Sequence, residues 1–80
     1  MTEKVIDLKG MRCPMPVLKT KKALATLNAS EEITVLTDDP HAVADIALFA
    51  KQSGHTLLSQ ETNAAGVTRH VFRKEKVSRL

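Results

Sequence analysis

Of the 80 residues only one, Cys13, is a cysteine. A single thiol cannot close an intramolecular disulfide, form a Cys-x-x-Cys redox pair or build a thiolate-rich zinc site. The three histidines, His41, His55 and His70, fall in different predicted elements without metal-ligand spacing. No metal and no cofactor is therefore expected, and any thiol chemistry must be done by one sulfur acting with a second molecule. Tryptophan and tyrosine are absent, and the aromatic rings are Phe49 and Phe72 alone. With so few rings to stack bases and no Gly-x-x-Gly clamp between helices, direct nucleic-acid binding is not expected. The longest apolar run, Ile46 to Ala50, is far short of the roughly 20 residues of a membrane span. Met1 is followed by Thr2, Glu3 and Lys4 rather than by a basic-then-apolar signal segment, so a cytoplasmic protein without membrane contact is the expectation.

What is present is an ordinary globular composition, 42% hydrophobic and 26% charged, which excludes disorder and a collagen-like repeat. A chain of this length houses one core, so a single domain over residues 1–80 is expected, with 76–80 as a frayed tail. The net charge of +3 is unevenly spread: residues 1–27 carry +4, residues 28–66 carry −5 and residues 67–80 carry +4. That asymmetry suggests a basic face suited to an acidic protein surface or to phosphates, although small proteins are often lopsided in charge.

Six elements are legible. Val5 to Leu8 reads as a strand. Pro14 to about Leu27 reads as a helix, with Val17, Leu24 and Leu27 at helical spacing and Leu18 and Ala25 widening the stripe. Ile33 to Thr37 is a β-branched and aliphatic strand. Asp39-Pro40 supplies an N-cap and a proline at the first helical position; that helix runs to Ser53 and stops at Gly54, suited to a left-handed cap. Its inward stripe is Ala42, Val43, Ile46, Ala47 and Ala50. Thr56 to Thr62 and Val67 to Lys74 form a hairpin around Asn63-Ala64-Ala65-Gly66. The order βαβαββ, with one apolar face per helix, predicts a two-layer α/β sandwich: a mixed four-stranded sheet with both helices on one face.

The segment Gly10-Met11-Arg12-Cys13-Pro14-Met15-Pro16 is the most informative. Proline at 14 fits the first turn of a helix and not a strand ladder. Cys13 is thereby placed at a strand-to-helix junction, at or beside the N-cap. Pro14 and Pro16 restrict the loop and leave the Met15 and Val17 amides as donors near the sulfur. The helix dipole, free first-turn amides and the neighbouring Arg12 each favour thiolate over thiol. The alternative, a small buried cysteine, sits poorly between Arg12 and Pro14.

Leu8-x-Gly10-x-x-Cys13-Pro14-x-Pro16 before a helix resembles the Cys-Pro-x-Pro signature of the TusA/SirA-type sulfur carrier family. The resemblance continues through Thr37-Asp38-Asp39-Pro40, Asp45-Ile46 and Gly54-His55-x-Leu57. It implies a small cytoplasmic carrier that takes sulfane sulfur as a persulfide on Cys13 from a cysteine desulfurase or a rhodanese-like donor. The sulfur passes to an acceptor protein, with 2-thiolation of the tRNA wobble uridine as the best-known route and molybdenum cofactor maturation or sulfur oxidation as others. Pro14 and Pro16 would shape the loop. Some members carry a second cysteine in the second helix, where this chain has Ala50 after Phe49, so a mechanism needing two thiols in one chain is excluded.

The remaining candidates have plainer accounts. Lys21 falls within the apolar stripe of the first helix, as a snorkelling lysine or as a cation near the sulfur path. Lys19 and Lys22 read as a solvated face able to meet an acidic partner. Asp38 is taken as the end of a strand, Asp39 as the cap, and Asp45 as a surface acid or partner contact. Leu48 is an outward leucine able to join a docking patch, and His55 packs at the start of a strand. A small basic binding module with Cys13 incidental is the competing function.

Overall fold

The structure is a computed structural model that describes residues 4–12 and 15–75. Its elements are β1 (Lys4–Asp7), α1 (Met15–Ala25), β2 (Glu32–Thr37), α2 (Pro40–Ser53), β3 (Thr56–Thr62) and β4 (Thr68–Arg73). The sheet order is β1-β2-β4-β3. β1 pairs parallel to β2, and β4 pairs antiparallel to both β2 and β3. The helices contact each other, α1 lies against β2 and α2 against β3. The expected two-layer α/β sandwich with a mixed sheet is what forms. Positions 76–80, the expected tail, lie outside the described residues. No helix among those described is long and apolar enough to cross a membrane.

Alternation decides which strand residues face the helices. Ile33, Val35 and Thr37 of β2 stand in register with Phe72, His70 and Thr68 of β4, and all six are buried. Leu8, Leu24, Leu27, Ala42, Ile46 and Ala50 complete the core with them, and the Phe49 and Phe72 rings meet tilted, centroids 6.0 Å apart. On β3 an irregularity between Leu57 and Ser59 shifts the register. One extra residue inverts the alternation, so Leu57 pairs with Phe72 while Gln60, three residues on, pairs with His70.

That inversion carries Gln60 to the buried imidazole. Gln60 Nε2 donates to the Val43 carbonyl at 2.9 Å and lies 3.0 Å from His70 Nδ1. The amide therefore donates to Nδ1, the imidazole proton sits on Nε2, and Nε2 donates to Thr37 Oγ1 at 2.8 Å. The network links β2, β4, β3 and α2, and leaves no room for a second imidazole proton. Burial pushes His70 down to about 4.

The caps of α2 follow expectation. Asp39 accepts the His41 N–H at 3.1 Å, and Gly54 adopts φ +84° while its N–H returns to the Ala50 carbonyl. In α1 the expected face is corrected. Leu18 is 50% exposed, Ala25 and Lys21 are exposed as well, and the buried positions are Pro16, Thr20 and Leu24. Thr20 can turn inward because its hydroxyl donates to the Pro16 carbonyl at 2.7 Å. The helix thus rotates away from the stripe that apolarity alone suggests, and Lys21 belongs to the outer face rather than to the apolar one.

The far end of the sheet is closed by polar contacts. Lys74 Nζ donates to the Leu24 carbonyl at the end of α1 at 2.6 Å, and the Lys74 backbone bonds Ser30 and Glu31. Glu75 accepts from Thr56 and from Arg73 Nε, which hold its carboxyl below the usual range. The Glu75 N–H donates to His55 Nδ1 at 3.2 Å, so His55 does pack at the start of β3, where burial and then Lys74 lower its affinity for a proton.

Two outcomes follow for stability. His70 takes a proton near 6.5 in the unfolded chain but only near 4 in the fold. Stability is therefore full above about pH 6.5 and falls as pH drops through that window, by on the order of 3–4 kcal/mol in all at roughly 1.4 per unit. Urea unfolding at pH 7.0 and 4.5 reads this, and His70→Gln leaves the smaller slope due to His55. Phe72→Ala, at a fully buried position, costs about 3–5 kcal/mol in the same assay.

Candidate functional site

Parallel strands deliver their following loops to the same edge of a sheet, and here the described residues of those loops are 8–12 after β1 and 38–39 after β2. Leu8 N–H extends the ladder by donating to the Leu36 carbonyl at 2.8 Å, and the Leu8 side chain enters the core. Met11 N–H returns to the Leu8 carbonyl at 3.2 Å, and its side chain packs against the core. Between them Gly10 has φ +88° with open space where a Cβ would stand. Backbone conformation, and not crowding, is what calls for glycine. Its N–H donates to Asp38 Oδ1 at 2.9 Å, across 28 residues of sequence.

Cys13 and Pro14 lie outside the described residues; those on either side of them do not. Arg12 is exposed, and its carbonyl accepts the Met15 N–H at 2.9 Å. This corrects one expectation, because the Met15 amide is engaged by Arg12 and is no free donor for the sulfur. Pro16 is fully buried within the first turn of α1. Lys19, Lys21 and Lys22 are exposed on α1, together with Met15 and Leu18. The outer face of the helix that follows Cys13 is thus basic with an apolar component. Asp45 is half-buried on α2, and Leu48 is 53% exposed on that helix.

The two neighbouring acids divide their work. Asp39 caps its own helix and also approaches the exposed His41 ring at 3.3 Å, whereas Asp38 reaches sideways to Gly10. Sequence reading assigns Asp38 only to a strand end. Its partner is distant in the chain, and only the pairing of β1 with β2 brings the two together. Among the described residues no three His, Cys, Asp or Glu side chains gather as a metal site.

Comparison with known proteins bears on this arrangement. The family model described as Sulfurtransferase TusA matches residues 4–74. Relatives include the protein named "Putative sulfur carrier protein MJ0990" of Methanocaldococcus jannaschii, 47% identical over 76% of this chain and 83% of the relative. Another is TusA of Allochromatium vinosum, 36% identical over 70% of this chain and 74% of that protein. YrkF of Bacillus subtilis is 40% identical over 88% of this chain, yet the match covers only 37% of YrkF, so the chain spans little more than a third of that relative's length. The crystal structure of the SirA-like protein from Desulfitobacterium hafniense superposes with a TM-score of 0.80 at 29% identity, covering 94% of this chain and all of that one. Sequence and fold converge along nearly the whole length, and the chain belongs to the TusA sulfurtransferase family.

Proposed function

We propose that the chain carries sulfur as a persulfide on Cys13, taken from a cysteine desulfurase or a rhodanese-like donor and handed to an acceptor protein. The observation that carries this reading is that its one cysteine stands between β1 and α1, inside the span matched by the family model. The route we infer ends in 2-thiolation of the tRNA wobble uridine, in the cytoplasm, where thiols remain reduced.

The chemistry needs one thiolate and no external oxidant. Cys13–S⁻ attacks the outer sulfur of a donor persulfide, R–S–SH. A new S–S bond forms, the donor's S–S bond breaks, and its electron pair leaves as R–S⁻. The product, Cys13–S–SH, loses its proton to give a persulfide anion that a helix N-terminus and the Arg12 guanidinium stabilise as they would a thiolate. Delivery repeats the exchange with the acceptor's thiolate as nucleophile. Pro14 and Pro16 restrict the loop that presents the sulfur. Lys19, Lys21 and Lys22 supply a positive surface beside it for an acidic donor, with Asp45 as a further partner contact.

Intact-mass measurement after incubation with a cysteine desulfurase, pyridoxal phosphate and cysteine tests the reading. Wild type gains one sulfur atom that reductant removes, and Cys13→Ala gains none; uptake by Cys13→Ala overturns the assignment. Loading kinetics test the basic face. The double reversal Lys19→Glu/Lys22→Glu raises the KM for the desulfurase about fivefold at low salt, and the difference shrinks as screening shortens the range of surface charges.

A further inference from the structure

Asp38 does something that no stability argument requires. It is exposed, as is Gly10, and an acid at the end of β2 could be solvated there without loss. Instead its Oδ1 accepts the Gly10 N–H at 2.9 Å from the neighbouring strand-to-helix junction. The bond is charge-assisted, the stronger kind of backbone contact. The rest of the loop is fixed at its base and near its middle. Leu8 is held by the Leu36 carbonyl, Lys9 N–H by Asp7 Oδ1 at 3.0 Å, and Met11 by the Leu8 carbonyl and by core packing. Among the described residues of this loop Gly10 is the one with positive φ, so the loop's direction depends on a conformation that glycine adopts at no steric cost and also leaves easily. The Asp38 carboxylate removes that freedom three positions before Cys13.

We propose that Asp38 is a positioning residue: through the Gly10 amide it fixes the path of the loop that leads toward α1, and so sets the reactivity of the Cys13 thiol three positions on. Its use in sulfur transfer rests on the persulfide reading given above. The acid at 38 and the glycine at 10 form one device, built from two loops that parallel pairing sets side by side. Asp39 is committed to its own helix and is not a substitute, because its carboxylate caps α2 through the His41 amide.

The test compares Asp38→Ala and Asp38→Asn in the full chain. Both variants lose the charge, but asparagine keeps an oxygen that accepts the Gly10 N–H. Iodoacetamide alkylation of Cys13 across pH reads the thiolate without any sulfur donor, and loading from glutathione persulfide reads transfer. Below the titration midpoint Asp38→Ala is alkylated about fivefold more slowly, a midpoint rise of roughly 0.7 pH unit toward the unperturbed ~8.5. Asp38→Asn stays within twofold of wild type, and loading follows the same order. Thermal unfolding moves little in either variant, since the bond is solvent-exposed.

Asp38→Ala as reactive as wild type overturns the inference. So does Asp38→Asn as slow as Asp38→Ala, which means that an oxygen able to accept the Gly10 N–H does not restore the thiol, or a slowing of Asp38→Ala matched by a loss of folded protein. Wild-type Cys13 that alkylates in the expected order of variants but accepts no sulfur overturns the persulfide reading instead and supports the positioning of the thiol.

Discussion

The parallel pairing of β1 with β2 is the contact on which the rest of the arrangement depends. It aligns Asp7 with Leu36 and is prolonged by the Leu8 amide, so both strands end at one edge of the sheet and both following helices begin there. Two helix N-termini, two acids and a glycine with positive φ are thereby gathered from stretches of chain about 28 residues apart in sequence. Clefts at the carboxyl ends of parallel strands are where α/β folds most readily place ligands. Antiparallel pairing of these two strands would send the loops to opposite edges, and Asp38 could never meet Gly10.

The other half of the sheet does a different job. β2, β4 and β3 are antiparallel neighbours whose buried faces are joined by the Thr37–His70–Gln60 network, and Gln60 reaches on to α2 through the Val43 carbonyl. A buried polar chain with every member satisfied specifies a register more sharply than methyl groups do, because a one-residue slip leaves donors and acceptors unpaired. The irregularity at Leu57 and Ser59 is part of that specification, since without it Gln60 would face away from His70. The region that fixes the fold is thus separate from the edge that carries the thiol.

How much of this was legible follows from the range of the interactions involved. Asp39-Pro40 and Gly54 delimit α2 because capping is local, and the β-branched run of β2 announces a central strand. The break between β1 and α1 is likewise visible, since Pro14 and Pro16 cannot continue a strand ladder and α1 begins at Met15. Along α1 and just beyond it, apolarity marks Leu24, Leu27 and Val17 as facing the core but misplaces Leu18 and Ala25, because apolarity alone does not measure burial. Pro16 and Thr20 go inside and Leu18 stays out, as a threonine can whose hydroxyl returns to the carbonyl four residues back. His70 carried no local mark of its buried role, since Thr37 and Gln60 reach it only after the strands have paired. Asp38 was legible as an acid but not as the holder of Gly10, for the same reason.

A carrier of this kind must offer one sulfur to two different proteins, so the thiol has to be accessible while the body around it stays firm. Those demands conflict if one set of contacts must meet both. In this fold they are met by different contacts. The core and its imidazole network secure the sheet, and the closing contacts of Lys74 and Glu75 secure the end of β4. What remains at the edge where β1 and β2 end is a short loop whose described residues are fixed by a few backbone bonds and by one surface carboxylate, next to a helix face of lysines with exposed Met15 and Leu18. Surface charges of that sort act on encounter more than on the strength of the final complex. On the proposed function, a partner is drawn in, serves or takes the sulfur, and leaves without any part of the sheet having to yield.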